Sequence, residues 1–274
     1  MDIKQFQNYS QGAKIPVNLE ERLRIYIGAL AMFLEYLEKN KPETLDAYRA
    51  ALKKKLDALV VNEEDLPSIP GLDEEIQLYN ELQTLYLGYS AQLLEIPAGI
   101  SSKTVELLWS NYLRSSLYPF YYRALTLCEV MGRDEAIEFL KAYIDATVYE
   151  RVKPDLELED LDHFWNADPD EHPYPGNSIA FRISKGKQGG KVIRCMGHEL
   201  LKPFNDPELT HIVACYGDTA QIQAQNPNFV FTRSTTLAQG GPYCDNCLHD
   251  KRHVSSVKHP GPEFYENLGS DLEW

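Results

Sequence analysis

The sequence lacks a long hydrophobic run, an excess of positive charge and a dense set of cysteines. Its longest apolar stretch covers residues 25–34, which is half of the roughly 20 residues that cross a bilayer. The first ten residues contain no basic segment followed by an apolar core, so we expect no secretory signal. From these absences we predict a cytoplasmic protein with no membrane partner.

Positive charge is scarce. The chain has 27 Lys and Arg against 41 Asp and Glu, a formal net charge of −14, and its sequence pI is near 5.0. Broad binding to nucleic acid or to an anionic membrane needs a positive field, which this composition does not supply. We therefore expect a small molecule as partner rather than a nucleic acid, and we attribute the acidity to solubility.

The remaining composition is that of a folded protein. Of the 274 residues, 43% are hydrophobic and 25% are charged, which excludes a wholly disordered chain. The length fits one large domain or two small ones. Five cysteines are too few for a disulfide scaffold, and in a cytosolic protein we expect them to be reduced. They remain available for packing, metal binding or catalysis.

Hydrophobic periodicity changes along the chain. The pattern predicts a helical region over residues 1–153 and a smaller α+β region with an antiparallel sheet over residues 154–274, which should carry the active site. The predicted elements of the second region are a strand over 178–184, a returning strand over 191–195, a helix over about 207–225 and a strand over 228–236. The fold class is therefore α+β.

Chemically capable residues concentrate near the C-terminus. Four of the five cysteines and five of the seven histidines lie between Cys195 and His259. Within this stretch, Cys215 and Asp218 are three residues apart and would share one face of a helix. A thiol attacks as its thiolate, and a carboxylate raises its pKa, so Asp218 suits substrate binding or proton transfer. The alternative is a structural cysteine beside a capping aspartate.

A second candidate is the Cys-x-x-Cys pair formed by Cys244 and Cys247. Together with His249 and His253 it could supply four zinc ligands, although structural zinc sites usually separate their two halves by a longer loop. The pair could instead be redox-active, but no thioredoxin-like context precedes it. Two unrelated cysteines in a turn remain the third interpretation.

Arg233 is the candidate anion ligand. It lies among threonines and a serine on the predicted strand over 228–236, and a guanidinium with neighbouring hydroxyls suits a carboxylate. A solvent-facing arginine on a half-exposed strand would give the same pattern.

Four segments together resemble the L-2-amino-thiazoline-4-carboxylic acid hydrolase family. Their order and spacing carry the resemblance over about 75 residues. The segments are the cysteine that ends Ile193-Arg194-Cys195, the Cys215-Tyr-Gly-Asp218 sequence, the arginine–threonine strand over 229–236, and the Gly-Gly-Pro-Tyr-Cys-Asp sequence over 240–245. After the last segment, Asn246 and Cys247 stand where the family favours an aromatic residue, which keeps the zinc interpretation open.

The resemblance implies a hydrolase that opens a C–N bond in a small cyclic amidine-like amino acid. A cysteine thiolate would attack the ring carbon, an acid would protonate the departing ring atom, and water would release the product. We expect Cys244 or Cys215 to be the nucleophile, with Cys244 favoured because Asp245 and the glycine turn keep it accessible. Asp218 would bind the amidine or move its proton, and Arg233 would hold the carboxylate.

The resemblance completes the set of predicted site residues. Asp245 joins the catalytic group, and Thr236, Cys195 and His211 join Arg233 in substrate binding. No cofactor is expected in this mechanism; zinc-activated water is the competing one. Two further functions stay open, namely a non-catalytic small-molecule-binding or zinc-containing scaffold protein and a biosynthetic tailoring enzyme. The sequence does not decide whether the chain forms a homo-oligomer.

Overall fold

A computed structural model describes residues 1–7, 9–10, 12–60, 80–96, 103–152, 154, 160–166 and 176–270. The chain divides into two compact units. One comprises Met1–Ser10 with Ile144–Trp274, and the other comprises Gln11–Tyr143. The first ten residues thus fold with the C-terminal part of the chain.

Helices dominate the unit Gln11–Tyr143. Asn18 caps the first of them, because its side chain accepts a hydrogen bond from the Glu21 amide. A two-stranded antiparallel sheet, absent from our prediction, accompanies the helices. The elements are β2 (Lys14–Asn18), α1 (Leu19–Asn40), α2 (Pro42–Asp57), α3 (Glu81–Leu94), β3 (Thr104–Leu108), α4 (Trp109–Met131) and α5 (Arg133–Arg151), the last of which continues into the other unit.

A five-stranded antiparallel sheet organises the other unit. Its strand order is β1-β4-β5-β7-β6. The strands are β1 (Asp2–Gln7), β4 (Gly176–Ser184), β5 (Lys187–Cys195), β6 (Phe229–Thr232) and β7 (Cys244–Asp250), and the helices are α6 (Asp162–Asn166), α7 (Met196–Leu201), α8 (Pro207–Ala214), α9 (Asp218–Gln225) and α10 (Pro262–Asn267). The predicted α+β class with an antiparallel C-terminal sheet is confirmed.

The hairpin of β4 and β5 forms where residue alternation predicted it. The sheet packs on both faces: Phe181 and Cys247 belong to a core cluster with Tyr265 of α10, whereas Phe229 packs with Leu161, Ile222 and Leu248. Burial on two sides is why the inner strand β7, which lies between β5 and β6, has no exposed side chain.

Two expectations for this unit are wrong. The single helix predicted over 207–225 is two helices, because α8 ends at Ala214 and α9 begins at Asp218. Cys215 is therefore the C-cap of α8, and it does not share a helix face with Asp218. The Cys-x-x-Cys segment lies in the inner strand β7 and not in a turn. None of the described helices is long and apolar enough to span a bilayer.

Candidate active site

A polar cleft of about 780 Å³ opens where β6 ends, beside α8 and α9. Among the described residues that line it, Arg233 is the only strongly basic side chain and Asp145 of α5 is the only carboxylate. The lining residues are Asp145, His211, Tyr216, Thr219, Ala220, Gln223, Phe231, Thr232, Arg233, Ser234, Thr235 and Gln239. Groups of both charges and many neutral hydrogen-bonding groups suit a small zwitterionic ligand.

Arg233 fixes the junction between α8 and α9. Its Nη1 donates to Asp218 Oδ2 at 2.6 Å, and its Nη2 donates to the Cys215 carbonyl at 2.7 Å. The side chain is only 10% exposed. Partial burial raises the pKa of Asp218, and the ion pair with Arg233 opposes that rise. The carboxylate predicted to bind substrate therefore holds the guanidinium in place.

Two further pairs line the cleft. Tyr216 donates its hydroxyl to Asp145 Oδ2 at 3.0 Å, so the carboxylate is oriented by a residue from the break between α8 and α9. His211 Nδ1 lies 3.5 Å from Thr236 Oγ1. Thr236 is almost fully buried and caps the short 3₁₀ turn Leu237–Gln239. The cleft thus has a carboxylate, an imidazole and a guanidinium along its wall.

The two candidate nucleophiles differ in their surroundings. Cys244 Sγ accepts a hydrogen bond from the Leu237 amide at 3.3 Å, which favours the thiolate, yet burial raises the pKa of Cys244 to about 11. Burial raises the pKa of Cys215 further, and the charge of Asp218 adds to that rise. Cys215 also ends a helix, where the macrodipole disfavours an anion.

These cysteines lie within electrostatic range of Arg233. The charges of Arg233 and Asp218 act on both Cys215 and Cys244. A charge on Cys195, which ends β5, acts on both thiols as well. The structure therefore brings Cys195, Cys215, Asp218, Arg233 and Cys244 into one region, although neither cysteine nucleophile lines the cleft directly.

A second polar cluster occupies the other face of β7. His259 Nε2 lies 3.0 Å from Asp245 Oδ2, and His259 Nδ1 lies 2.9 Å from Thr232 Oγ1. His249 Nε2 lies 3.0 Å from the same Thr232 oxygen. The ring of His259 stacks on Tyr265 with an interplanar angle of 13°. The cluster connects Asp245, a predicted catalytic residue, to a histidine that the sequence did not single out.

Hydrogen bonds determine the charge of Asp245. Burial alone would raise its pKa, but donors from Ser234, Thr235 and His259 outweigh burial and lower it. The Ser234 and Thr235 amides donate to Oδ1 at 2.9 and 2.8 Å, and the Ser234 hydroxyl donates to Oδ2. Asp245 is therefore an ionised carboxylate that shapes the loop after β6 and so orients the neighbouring Arg233.

His249 is neutral for the opposite reason. Burial lowers the pKa of His249 to about 4, and the nearby positive charge of Lys187 contributes. A neutral His249 that carries its proton on Nε2 donates it to Thr232 Oγ1. The same Thr232 oxygen lies 2.9 Å from His259 Nδ1 and 3.4 Å from the Cys247 carbonyl oxygen. His249, Thr232, His259 and Asp245 are thus linked in one hydrogen-bond network.

The proposed zinc ligands do not converge. Side chains alternate along a strand, so Cys244 faces one side of β7 while Cys247 and His249 face the other. His253 follows in the turn after the strand. Among the described residues no three His, Cys, Asp or Glu side chains are placed to hold a metal ion. The prediction that Cys244, Cys247, His249 and His253 form a zinc site is therefore wrong, because these side chains do not meet at one point.

This region of the chain is similar to a known protein family. The profile of one protein family, described as L-2-amino-thiazoline-4-carboxylic acid hydrolase, matches residues 118–248.

Residues 118–248 are therefore similar to this family. The resemblance inferred from the sequence is thus confirmed over those residues. Searches of curated proteins and of solved structures found no match. The matched segment contains the twelve described lining residues of the cleft and the predicted site residues up to Asp245, whereas His259 lies beyond it.

Three residues of the site escaped sequence analysis. Asp145 is one of several exposed acidic residues on α5, and no sequence motif distinguishes it from the others. Tyr216 is one of 17 tyrosines in the chain. His259 lies in an irregular segment between β7 and α10. Its partnership with Asp245 arises from tertiary contact across 14 residues and leaves no periodic signal in the sequence.

Proposed function

We propose that this protein is a hydrolase that opens a C–N bond in a small cyclic amidine-like amino acid, such as 2-aminothiazoline-4-carboxylate. One observation carries the proposal: all the described residues that line the polar cleft lie inside the segment matched by the hydrolase family. The family name supplies the reaction class. The cleft supplies groups of the charge and size that such a substrate requires.

Arg233 would hold the substrate carboxylate. The guanidinium lines the cleft, is held from behind by Asp218 and the Cys215 carbonyl, and loses little freedom when it binds an anion. Asp145 would face the amidinium end of the ring, because it is the carboxylate of the lining and Tyr216 already orients it. A zwitterion would thus be oriented by opposite charges.

We assign the nucleophile to Cys244. Its sulfur accepts the Leu237 amide, which supports a thiolate, whereas Cys215 lies at a helix C-terminus beside a carboxylate. Because the pKa of Cys244 is near 11, a base must take its proton. His211 is our candidate, since it lines the cleft and contacts Thr236, which immediately precedes Leu237.

The proposed reaction consumes one water molecule. The thiolate sulfur bonds to the ring carbon between sulfur and nitrogen, the ring C–N bond breaks, and the ring nitrogen takes a proton. Water then attacks the same carbon, displaces Cys244 as a thiol, and leaves a carbamoyl derivative of cysteine. The enzyme returns to its starting state without a redox change.

The test is a turnover and binding series on the full chain. We expect L-2-aminothiazoline-4-carboxylate to be converted to carbamoyl-cysteine, detected by mass spectrometry. Arg233→Gln should raise KM far more than it lowers kcat, and Arg233→Lys should recover part of the loss. Asp145→Asn should weaken the binding of the cationic substrate but should leave the binding of an analogue with an uncharged ring unchanged. Equal turnover by wild type and Arg233→Gln would contradict the assignment of the cleft.

A non-catalytic binding protein is the second candidate. It is favoured by one observation, that burial raises the pKa of both Cys215 and Cys244, so that neither thiol is activated without a ligand. In that case the same amino acid would raise the melting temperature of the chain without being consumed. Measuring thermal shift and turnover on the same sample separates the two functions.

A further inference from the structure

Strand β1 is the outer strand of the five-stranded sheet. It pairs with β4 on one side, and no strand of the described residues pairs with its other side. An outer strand presents unpaired backbone N–H and C=O groups that can hydrogen-bond to another strand. Its neighbour could therefore come from a second chain.

Exposed apolar side chains cluster at the same edge. Met1, Ile3 and Ile183 are 66%, 44% and 46% exposed. They are three of the five exposed large hydrophobic residues in the described part of the chain. Because Ile3 pairs with Phe181 in the register, these two side chains project from the same face of the sheet. A groove of about 530 Å³ is lined by Met1 and Ile3 together with Phe264 and Leu268 of the α10 region.

The charges of β1 are complementary to a second copy of β1. Its sequence is Asp2-Ile3-Lys4-Gln5-Phe6-Gln7. In an antiparallel pair centred on Ile3, each Asp2 lies opposite Lys4 of the other copy, and the two Ile3 residues lie opposite each other. Opposite charges placed directly across a strand pair stabilise it, and apolar pairs do the same.

Lys4 is already held in a suitable position. Its Nζ donates to the Trp165 carbonyl at 2.6 Å and lies 4.7 Å from the centre of the Trp165 ring. An ammonium group has three donors, so the contact with Trp165 leaves donors for a carboxylate. Asp2 and Lys4 project from the same face, which is the face opposite Ile3.

We propose that two copies of this chain associate through antiparallel pairing of their β1 strands about Ile3. The five-stranded sheets of the two copies would then form one continuous sheet, and the exposed Met1 and Ile3 side chains would be covered. The two copies would be related by a two-fold axis, so that the same surface of each copy forms the interface. This inference does not depend on the proposed activity.

Charge reversal tests the proposal directly. Wild-type protein should sediment as a dimer in analytical ultracentrifugation at micromolar concentration. Asp2→Lys places lysines opposite lysines, and Lys4→Asp places aspartates opposite aspartates, so each variant alone should be monomeric. An equimolar mixture of the two variants should form a heterodimer, because both cross-strand pairs then have opposite charges. A monomeric wild type, or a dimer that Asp2→Lys leaves intact, would overturn the proposal.

A cross-link keeps the proposal testable if a charge variant folds poorly. Ile3→Cys brings two thiols to directly opposed positions, and oxidised glutathione should join them through thiol–disulfide exchange, releasing reduced glutathione. Peptide mapping should find the disulfide between the two introduced thiols as the main intermolecular link. Gln7→Cys is the matched control, because the same symmetry places its two copies far apart. Equal cross-linking of both variants would contradict pairing about Ile3.

Discussion

The guanidinium of Arg233 lies 2.6 Å from the carboxylate of Asp218 and 2.7 Å from the Cys215 carbonyl. One side chain thereby connects the end of β6 to the break between α8 and α9. The break itself supplies both partners, because α8 stops at Ala214 and α9 starts at Asp218. The geometry of the cleft therefore depends on Asp218 even if that residue never contacts a substrate.

Asp218→Asn should reduce kcat/KM by about ten- to hundredfold, which corresponds to the roughly 1.5–3 kcal/mol of a hydrogen bond to a charged group. We expect the effect mainly in KM, since the substitution frees Arg233 but leaves the reacting groups in place. Asp218→Glu keeps the charge and should recover part of the loss. A larger fall in kcat than in KM would instead assign Asp218 a direct part in the reaction.

Asp245→Asn should lower the free energy of unfolding by about 1–3 kcal/mol at pH 7, because the new amide nitrogen would face donors from which the carboxylate oxygen accepts hydrogen bonds. The folded-state pKa of Asp245 is lowered, so its stabilisation is complete above the unfolded value of about 3.9 and disappears as pH falls through the folded value.

Urea unfolding at pH 7 and pH 3 measures this difference. The gap between wild type and Asp245→Asn should be smaller at pH 3. Asp145→Asn is the control, because its carboxylate is exposed and should affect stability little at either pH. A gap that widens at pH 3 would contradict the ionised state assigned to Asp245.

The thiol of Cys244 should react with iodoacetamide about tenfold faster for each unit of pH between 7 and 10. A pKa of about 11 means that the thiolate is a small fraction throughout this range and grows in proportion to hydroxide. Cys215, whose pKa is higher, should be labelled more slowly. Peptide mapping after timed labelling gives both rates, and labelling of Cys244 that does not change with pH would refute the thiol environment described above.

Gly189→Ala should destabilise the protein by about 1–3 kcal/mol, the usual cost of overpacking. A Cβ on Gly189 would overlap the Asn246 carbonyl oxygen across the β5–β7 pair. Gly190→Ala is the matched control, since its nearest contact is an ordinary 3.5 Å from the Ile179 oxygen. Thermal unfolding should show the first variant melting well below the second. Equal melting temperatures would mean that β5 and β7 are not this close.

Sequence patterns predicted the elements whose stability comes from hydrophobic burial. Alternation along β4 predicted the hairpin, and helical periodicity predicted the helices that precede it in the chain. The same reasoning missed β7, because Cys-Asp-Asn-Cys-Leu-His-Asp contains little apolar alternation. The buried polar side chains of that strand, Asp245, His249 and Asp250, are each satisfied by a hydrogen bond to another residue. Pairings of this kind are set by the tertiary fold and leave no hydrophobic pattern in the sequence.

The site could be predicted only where motifs mark it. The order of the cysteine, Cys-x-x-Asp and arginine–threonine segments located the region that contains the cleft. It did not predict that Asp218 pairs with Arg233, nor that Cys244 and Cys247 face opposite sides of a strand. Both facts depend on where an element ends or begins, and a shift of one residue changes the direction of a side chain.

The measurement that tests the central claim most directly is intact-mass analysis of full-length protein quenched in acid during turnover of L-2-aminothiazoline-4-carboxylate. We predict a covalent adduct on Cys244 in the wild type and in Cys215→Ala, and neither adduct nor product in Cys244→Ala. Full product formation by Cys244→Ala and by Cys215→Ala would contradict the cysteine mechanism, and absence of turnover by the wild type would contradict the proposed hydrolase.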